Sequence, residues 1–271
     1  MTNLERLTTN AQDVTLSRVS YPSLLKYLVV ADFKSDINRY FLGFFWWLAE
    51  PLMYVAVFYI AFSHFRSDDE QYIYFLIVGV TTWRWLATSI NLATNSIVTK
   101  KRIIGHFSIN PAIFTLSSLV TQILKYLVIL VFVCALLQLS GQLKFAGIQS
   151  LLFWIVCTLS CVLAFSLLVA FLVAYIPDLR VPISQALMLL MFISGVIFPI
   201  DGVSEELRAA LQFNPFVHII EGVRFVLMGE SQGSLPVIEL SAVFLLSLML
   251  LVGIAIASSS LATDIPKRVL L

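Results

Sequence analysis

The sequence predicts an all-α membrane protein with six transmembrane helices, an N-terminal amphipathic interfacial helix and an outer re-entrant helical hairpin. Of its 271 residues, 59% are hydrophobic and only 12% are charged, whereas a soluble globular protein has about 25% charged residues. Uncharged runs long enough for a spanning helix, about 20 residues, recur along the chain. Soluble enzymes, disordered proteins and secreted disulfide scaffolds are therefore disfavoured. The net charge of +1 gives no reason to expect a nucleic-acid partner.

The spans are placed by runs that lack Asp, Glu, Lys and Arg. Four such runs hold one helix each, and the helix of one of them extends past Lys125. Two further spans carry one charge each, Glu50 and Arg84. The six predicted spans are about 42–63, 72–96, 112–140, 150–176, 182–200 and 236–262. They form a transmembrane domain over 42–262, between an N-terminal region (1–41) and a short tail (263–271).

The distribution of cations predicts that both termini face the cytoplasm. No signal peptide is recognised in the polar N-terminal residues, so the N-terminus is expected to stay inside. With six spans, the inner segments hold 11 Lys and Arg residues and the outer segments hold 4. This bias follows the positive-inside rule and predicts a multi-pass membrane protein with both termini on the cytoplasmic side.

Residues 22–41 are predicted to form an amphipathic helix in the inner interface. Apolar residues such as Leu25, Val29 and Phe33 recur at steps of three and four, while Asp32 and Asp36 lie on the opposite face. The helix carries the cations Lys26, Lys34 and Arg39. It is interpreted either as a plain membrane anchor or as a helix that also docks a cytoplasmic partner.

The loop 97–111 contains the densest cationic cluster of the chain, Lys100, Lys101 and Arg102. These residues either set the topology alone or also contact anionic lipid headgroups or a pyrophosphate.

Residues 201–229 are predicted to form two short helices on the outer side. Ser204, Glu205 and Glu206 are typical of a helix start, and Asn214-Pro215 ends that helix and opens a second one that stops at Gly229. The kinked pair indicates a re-entrant hairpin, and the alternative is an outer loop that lies on the lipid surface.

Three ionisable residues, Glu50, Arg84 and Lys125, lie within predicted spans. Each costs about 2.5–3.5 kcal/mol on insertion scales for a charge at a helix centre, so such residues usually pair or face water. The open interpretations are an internal ion pair, with Arg84 or Lys125 as the partner of Glu50, and a polar lining of a passage.

Aromatic residues make up 13% of the chain. Many, including Trp46, Trp47 and Tyr72, are expected to form interfacial belts. A role of other aromatic residues as a sliding surface for sugar rings stays open.

No ATP-binding or metal-binding motif is found. The sequence lacks GxxxxGK[ST], HExxH and CxxC patterns, and neither catalytic nor metal residues are predicted. The chain is expected to bind no cofactor itself, and any ATP would be bound by another chain.

Two segments resemble the permeases of ABC-2-type exporters, and most of all those that export polysaccharides such as O-antigen, capsule or teichoic-acid polymers. The first is INRYFLGFFWWLAEPLM at 37–53, similar to the start of the family's first span. The second is FPIDGVSEELRAALQFNPFVHIIEGVRFVLMG at 198–229. The residues that fall on the second signature are Asn214, Pro215, His218, Glu221, Arg224 and Gly229.

The resemblance implies a homodimer that forms a continuous channel and binds two cytoplasmic ABC ATPase subunits, which hold ATP and Mg²⁺. The implied substrate is a glycan on a lipid carrier, and the implied location is the bacterial inner (cytoplasmic) membrane. The implied ATPase-docking residues are Lys26, Lys34, Arg39, Lys100, Lys101 and Arg102. The 201–229 hairpin would form an outer gate that includes Asn214, Pro215, His218, Glu221 and Arg224.

Other functions stay open at this point. The nearest alternative is an ABC-2-type exporter of a small molecule or peptide. A membrane-embedded transferase would need paired carboxylates or a His/Asp site, and the acidic pairs found lie on amphipathic helices. An ion-coupled transporter would show inverted repeats, and no convincing repeat is seen between 42–140 and 150–262.

Overall fold

The computed structural model describes residues 20–39, 45–62, 71–100, 110–200, 204–229 and 237–261. Every regular element within these ranges is helical, which confirms the predicted all-α class. The nine α-helices of the described part are α1 (Tyr21–Arg39), α2 (Phe45–Phe62), α3 (Tyr72–Thr99), α4 (Ala112–Leu139), α5 (Ile148–Tyr175), α6 (Arg180–Phe192), α7 (Glu205–Leu211), α8 (Pro215–Met228) and α9 (Val237–Leu261). A 3₁₀ turn, Pro177–Leu179, joins α5 to α6.

Five helices of the described part are long and apolar enough to cross a membrane: α2, α3, α4, α5 and α9. They correspond to the first four predicted spans and the sixth. The N-terminal helix predicted over 22–41 is present as α1.

The fifth predicted span, 182–200, differs from the expectation. Its helix, α6, has 13 residues and ends at Phe192, so it is about 20 Å long and shorter than a hydrocarbon core of about 30 Å. Residues 193–200, here called the unwound segment, continue without α-helical structure, and Gly195 has a φ of +69°. Residues 193–200 are uncharged, like the rest of the predicted span, but they do not continue the helix. The count of six spans therefore remains a prediction.

Helix α3 lies at the centre of the molecule. It contacts α2, α4, α5, α6 and α8, and its small residues, among them Gly79, Ser89 and Ala93, are buried. Small side chains let helix backbones approach closely where lipid gives no hydrophobic driving force. The many-sided packing of α3 therefore follows from its composition.

The outer surfaces of α2 and α9 are apolar. Met53, Val57 and Ile60 on α2 are more than half exposed, as are Leu245 and Met249 on α9. Such faces are stable only against lipid or another protein surface.

Helix α1 lies along α4. Val29 is buried, Leu25 packs against the core, and the Phe33 ring meets Trp47 edge-on with 5.2 Å between the ring centroids. The apolar face predicted from the sequence therefore packs against the bundle.

Candidate functional site

The hairpin formed by α7 and α8 is bound to the unwound segment through Asn214. The side-chain oxygen of Asn214 accepts a hydrogen bond from the backbone N–H of Phe216 at 3.0 Å and so caps α8. Its amide nitrogen donates to the hydroxyl of Ser194 at 2.9 Å. Pro215 occupies the first turn of α8, where its missing N–H costs nothing. One side chain therefore both starts α8 and ties it to residue 194.

Arg224 donates hydrogen bonds to carbonyl groups of the unwound segment. Its guanidinium donates to the carbonyl oxygens of Gly195 at 2.7 Å and Val196 at 2.9 Å, and to that of Phe75 on α3 at 3.3 Å. Arg224 is only 1% exposed. Buried backbone carbonyls that lack a helical partner need donors from elsewhere in the protein, and Arg224 meets that requirement here.

The remaining hairpin residues predicted as a gate lie in the same region. His218 Nε2 lies 2.7 Å from the Gln212 carbonyl oxygen, which fixes the turn between α7 and α8. Glu221 Oε1 accepts a hydrogen bond from Arg224 at 3.2 Å, and its side chain is 26% exposed. The five predicted gate residues, Asn214, Pro215, His218, Glu221 and Arg224, therefore lie in the region where α8 packs against α3 and the unwound segment.

Sequence reasoning missed three residues that help to position α8 and the unwound segment. Tyr72 donates to the carbonyl of Ile197 at 3.3 Å, and Trp154 donates to that of Ile219 at 2.8 Å. Gly79 lies against the Arg224 guanidinium, and a Cβ there would lie 2.9 Å from the Val196 oxygen. Tyr72 is 2% exposed, so the expectation of a lipid-facing belt residue was wrong. A signal for Trp154 was available, because an indole N–H deep in an uncharged span needs an acceptor.

The C-terminal end of α8 is also held in place by hydrogen bonds. The backbone N–H groups of Lys144 and Ala146 donate to the carbonyls of Leu227 and Val226 at 2.9 and 3.0 Å. Gly229 adopts a left-handed conformation with φ +65° just after the helix, as is common at helix C-termini. The loop between α4 and α5 therefore satisfies carbonyls that α8 leaves open at its last turn.

A second polar region, here called the charged cleft, lies between α1, α2, α3 and α4. Glu50 forms a salt bridge with Arg84, and Lys125 forms one with Asp36 of α1. Arg84 also lies over the Tyr54 ring, 4.6 Å from its centroid. Of the two cations that the sequence offers to Glu50, the structure pairs it with Arg84, while Lys125 attaches α1 to the bundle.

The charged cleft contains two adjoining cavities of about 260 and 240 Å³. Asp36, Leu92 and Gln122 line both. The upper cavity reaches the Glu50–Arg84 pair, and the lower one ends at Thr99 and Lys100. The side chains of α3 that face the two cavities are Thr81, Arg84, Trp85, Thr88, Leu92, Asn95, Ser96 and Thr99.

The predicted ATPase-docking residues are only partly placed. Lys26 and Lys34 are exposed on α1, and Lys100 is half-buried at the end of α3. Arg39 is the last residue of α1, and Lys101 and Arg102 lie outside the described residues. No group of three or more potential metal ligands occurs in the part of the chain that the structure describes.

Comparison with known proteins gives consistent matches. Residues 55–263 match the family model described as ABC-2 family transporter protein. The chain is 24% identical over 242 residues to an O-antigen export system permease protein RfbA of Klebsiella pneumoniae, covering 86% of this chain and 90% of that protein. It is 23% identical over 203 residues to the protein of the same name from Myxococcus xanthus, covering 74% and 78%. It is 20% identical over 207 residues to the polysialic acid transport protein KpsM of Escherichia coli, covering 74% and 80%.

Proposed function

Because the chain belongs to the ABC-2 family of transporter proteins, we propose that it is the channel-forming permease subunit of an ATP-driven exporter that moves a lipid-linked polysaccharide across the cytoplasmic membrane. The observation that carries the proposal is the match to O-antigen export permeases over as much as 86% of the chain. The resemblance to polysaccharide-exporter permeases seen in the sequence is confirmed by these matches.

The proposed transporter contains two copies of this chain and two cytoplasmic ABC ATPase subunits that bind ATP and Mg²⁺. The apolar faces of α2 and α9 support a membrane setting and leave room for a second copy. The cations Lys26 and Lys34 are exposed on α1, which supports docking of the ATPase at this helix. A continuous channel between two copies suits a polymer that is too long to be enclosed in a pocket.

The hairpin of α7 and α8 is proposed to act as the outer gate of this channel. Arg224 joins α8 to the unwound segment and to Phe75 of α3, so a movement of α3 or α6 would reach the hairpin directly. The aromatic side chains Tyr54, Phe58 and Phe62 follow one face of α2, with 6.4 Å between successive ring centroids. We propose this row as a sliding surface for sugar rings.

The proposed topology predicts which positions react with an impermeant thiol reagent in intact cells. Cysteines introduced by Ser67→Cys and Gln232→Cys should react, because both segments are placed outside, whereas Thr99→Cys should react only after lysis. Labelling of each variant before and after lysis gives the measurement. Reaction of Thr99→Cys in intact cells, together with protection of the other two, would contradict the topology.

Disruption of the gene tests the function. The finished glycan should be lost from the cell surface, and the carrier-linked polymer should accumulate inside at normal length because synthesis is untouched. Immunoblots of surface and total glycan give the measurement, with a plasmid copy of the gene as the control. Unchanged surface glycan with altered resistance to a drug or peptide would support the small-molecule alternative instead.

A further inference from the structure

Helix α1 follows α4 from its first turn almost to its last. Tyr21 of α1 and Ala112 of α4 line one groove at the start of the two helices, and Asp36 forms its salt bridge with Lys125. From Tyr21 to Asp36 α1 extends about 22 Å, and from Ala112 to Lys125 α4 extends about 20 Å. The two helices therefore lie side by side, with the salt bridge near the C-terminal end of α1.

A polar cavity separates α1 from α3. This is the lower cavity of the charged cleft, of about 240 Å³, and the side chains that line it include Asp32, Ser35 and Asp36 from α1 and Asn95 and Thr99 from α3. Among the described helices, α1 packs chiefly against α4. Close-packed contacts transmit displacement, whereas a cavity does not. The position of α1 is therefore determined by its attachments to α4 and α2.

Lys125 joins α1 to two other helices at once. From α4, its ammonium group forms the salt bridge with Asp36 of α1 and lies 5.3 Å from the centroid of the Trp47 ring of α2. Phe33 of α1 meets the same ring edge-on. The Lys125 side chain is only 13% exposed, and a buried cation without a counter-ion is costly. Separation of α1 from α4 would leave that cation unpaired, so the salt bridge opposes the separation.

A second salt bridge continues this connection to α3. Glu50 lies one turn after Trp47 on α2 and is paired with Arg84 of α3. Both salt bridges border the upper cavity. A displacement of α1 therefore acts first on Lys125 and Trp47, and it reaches Glu50 through α2. Contiguous packed side chains and ion pairs of this kind can carry coupling between distant parts of a protein.

We propose that Asp36 and Lys125 are positioning residues whose salt bridge couples α1 to the transmembrane helices. Movement imposed on α1 by the ATPase passes through this salt bridge and Trp47 to α2, and through Glu50 and Arg84 to α3. The inference rests on the proposed function, because α1 is moved in this way only if an ATPase docks on it. Helix α1 is then a moving part of the transporter and not a plain membrane anchor.

Hydrogen exchange of the full chain in lipid nanodiscs tests the attachment of α1. Asp36→Asn and Lys125→Met each break the salt bridge, and each should speed exchange of the α1 amides by at least about fivefold, as expected for one lost charged contact. Lys125→Met also removes the cation, so faster exchange in this variant would not arise from an unpaired cation inside the bundle. Asp36→Glu keeps the charge and should stay within about twofold of the unmodified chain.

Asp32→Asn is the matched control. Asp32 lies on the same helix and lines the lower cavity, and it makes no ion pair with a described residue. Its replacement should leave exchange of the α1 amides within about twofold of the unmodified chain.

ATP hydrolysis and glycan movement, measured together in inverted membrane vesicles, test the coupling. With Asp36→Asn or Lys125→Met, the complex with the ATPase should keep its hydrolysis rate within about twofold, whereas the glycan moved per ATP should fall by about fivefold or more. Asp36→Glu and Asp32→Asn should keep the ratio of the unmodified chain. A salt bridge that only stabilised the fold would change the amount of intact complex, so hydrolysis and movement would fall together and their ratio would stay the same.

The proposal would be overturned if exchange in Asp36→Asn and Lys125→Met equalled that in Asp32→Asn, or if the ratio of glycan moved to ATP hydrolysed stayed unchanged in both variants. The exchange measurement needs neither ATPase nor glycan, so its outcome is separate from that of the proposed function. An unmodified complex that hydrolyses ATP but moves no glycan would contradict the proposed function, and faster exchange in the two variants would still support the attachment of α1 by this salt bridge.

Discussion

Replacing Arg224 by glutamine is expected to destabilise the protein by about 3–5 kcal/mol. The substitution removes the donors to the carbonyls of Gly195 and Val196 and leaves these buried groups unpaired. Arg224→Lys should destabilise almost as strongly, because an ammonium group lacks the planar fork that reaches two carbonyls at once. At about 2–4 °C per kcal/mol for a chain of this size, thermal unfolding in detergent should shift by about 10 °C.

Arg180→Gln is the matched control for this measurement. Arg180 is exposed, and its contacts to Pro177 and Asn95 are long, at 3.2 and 3.4 Å. Its replacement should change stability by less than about 1 kcal/mol. A shift in Arg224→Gln no larger than that of Arg180→Gln would contradict the assignment of Arg224 as the residue that holds the unwound segment.

Loss of the Glu50 carboxylate is expected to have the second largest effect. Glu50→Ala leaves the Arg84 guanidinium without its salt-bridge partner, within a span where an unpaired cation costs up to about 2.5–3.5 kcal/mol. Because both side chains are partly exposed within one chain, we expect a destabilisation of about 1–2 kcal/mol, with lower protein yield.

A double-mutant cycle identifies the partner of Glu50. The cycle of Glu50→Ala with Arg84→Ala should show a coupling of about 1–2 kcal/mol, and the same cycle with Lys125→Ala should be nearly additive, because Lys125 is paired with Asp36. Additive effects in both cycles would mean that Glu50 is a solvated residue of the lining. Coupling to Lys125 alone would contradict the pairing seen in the structure.

The helices of the bundle could be predicted from composition and periodicity. Long uncharged runs predict α4, α5 and α9, because a spanning helix must be both long and apolar. The steps of three and four from Leu25 to Phe33 give α1 because one face of a surface helix must be apolar. The start of α8 follows from the capping side chain of Asn214 and from Pro215.

The interruption of α6 could not be predicted in the same way. Residues 193–200 are as uncharged as a spanning helix, and their backbone is stabilised by side chains distant in sequence, Tyr72, Asn214 and Arg224. The ion pairs of the charged cleft could not be predicted from the sequence either. Both Arg84 and Lys125 are possible partners of Glu50, and their spacing does not distinguish between them. The partner of Lys125 is Asp36, on a helix face that the amphipathic pattern assigns to solvent.

Glycan movement in inverted membrane vesicles tests the central claim most directly. Vesicles that contain this chain, its ATPase and carrier-linked glycan on their outer, cytoplasmic face are supplied with ATP and then treated with a glycosidase. The account predicts that ATP increases the glycosidase-resistant fraction only in vesicles that contain this chain, and that a non-hydrolysable analogue does not. A resistant fraction that ATP leaves unchanged, in vesicles whose ATPase is active and bound to this chain, would contradict it.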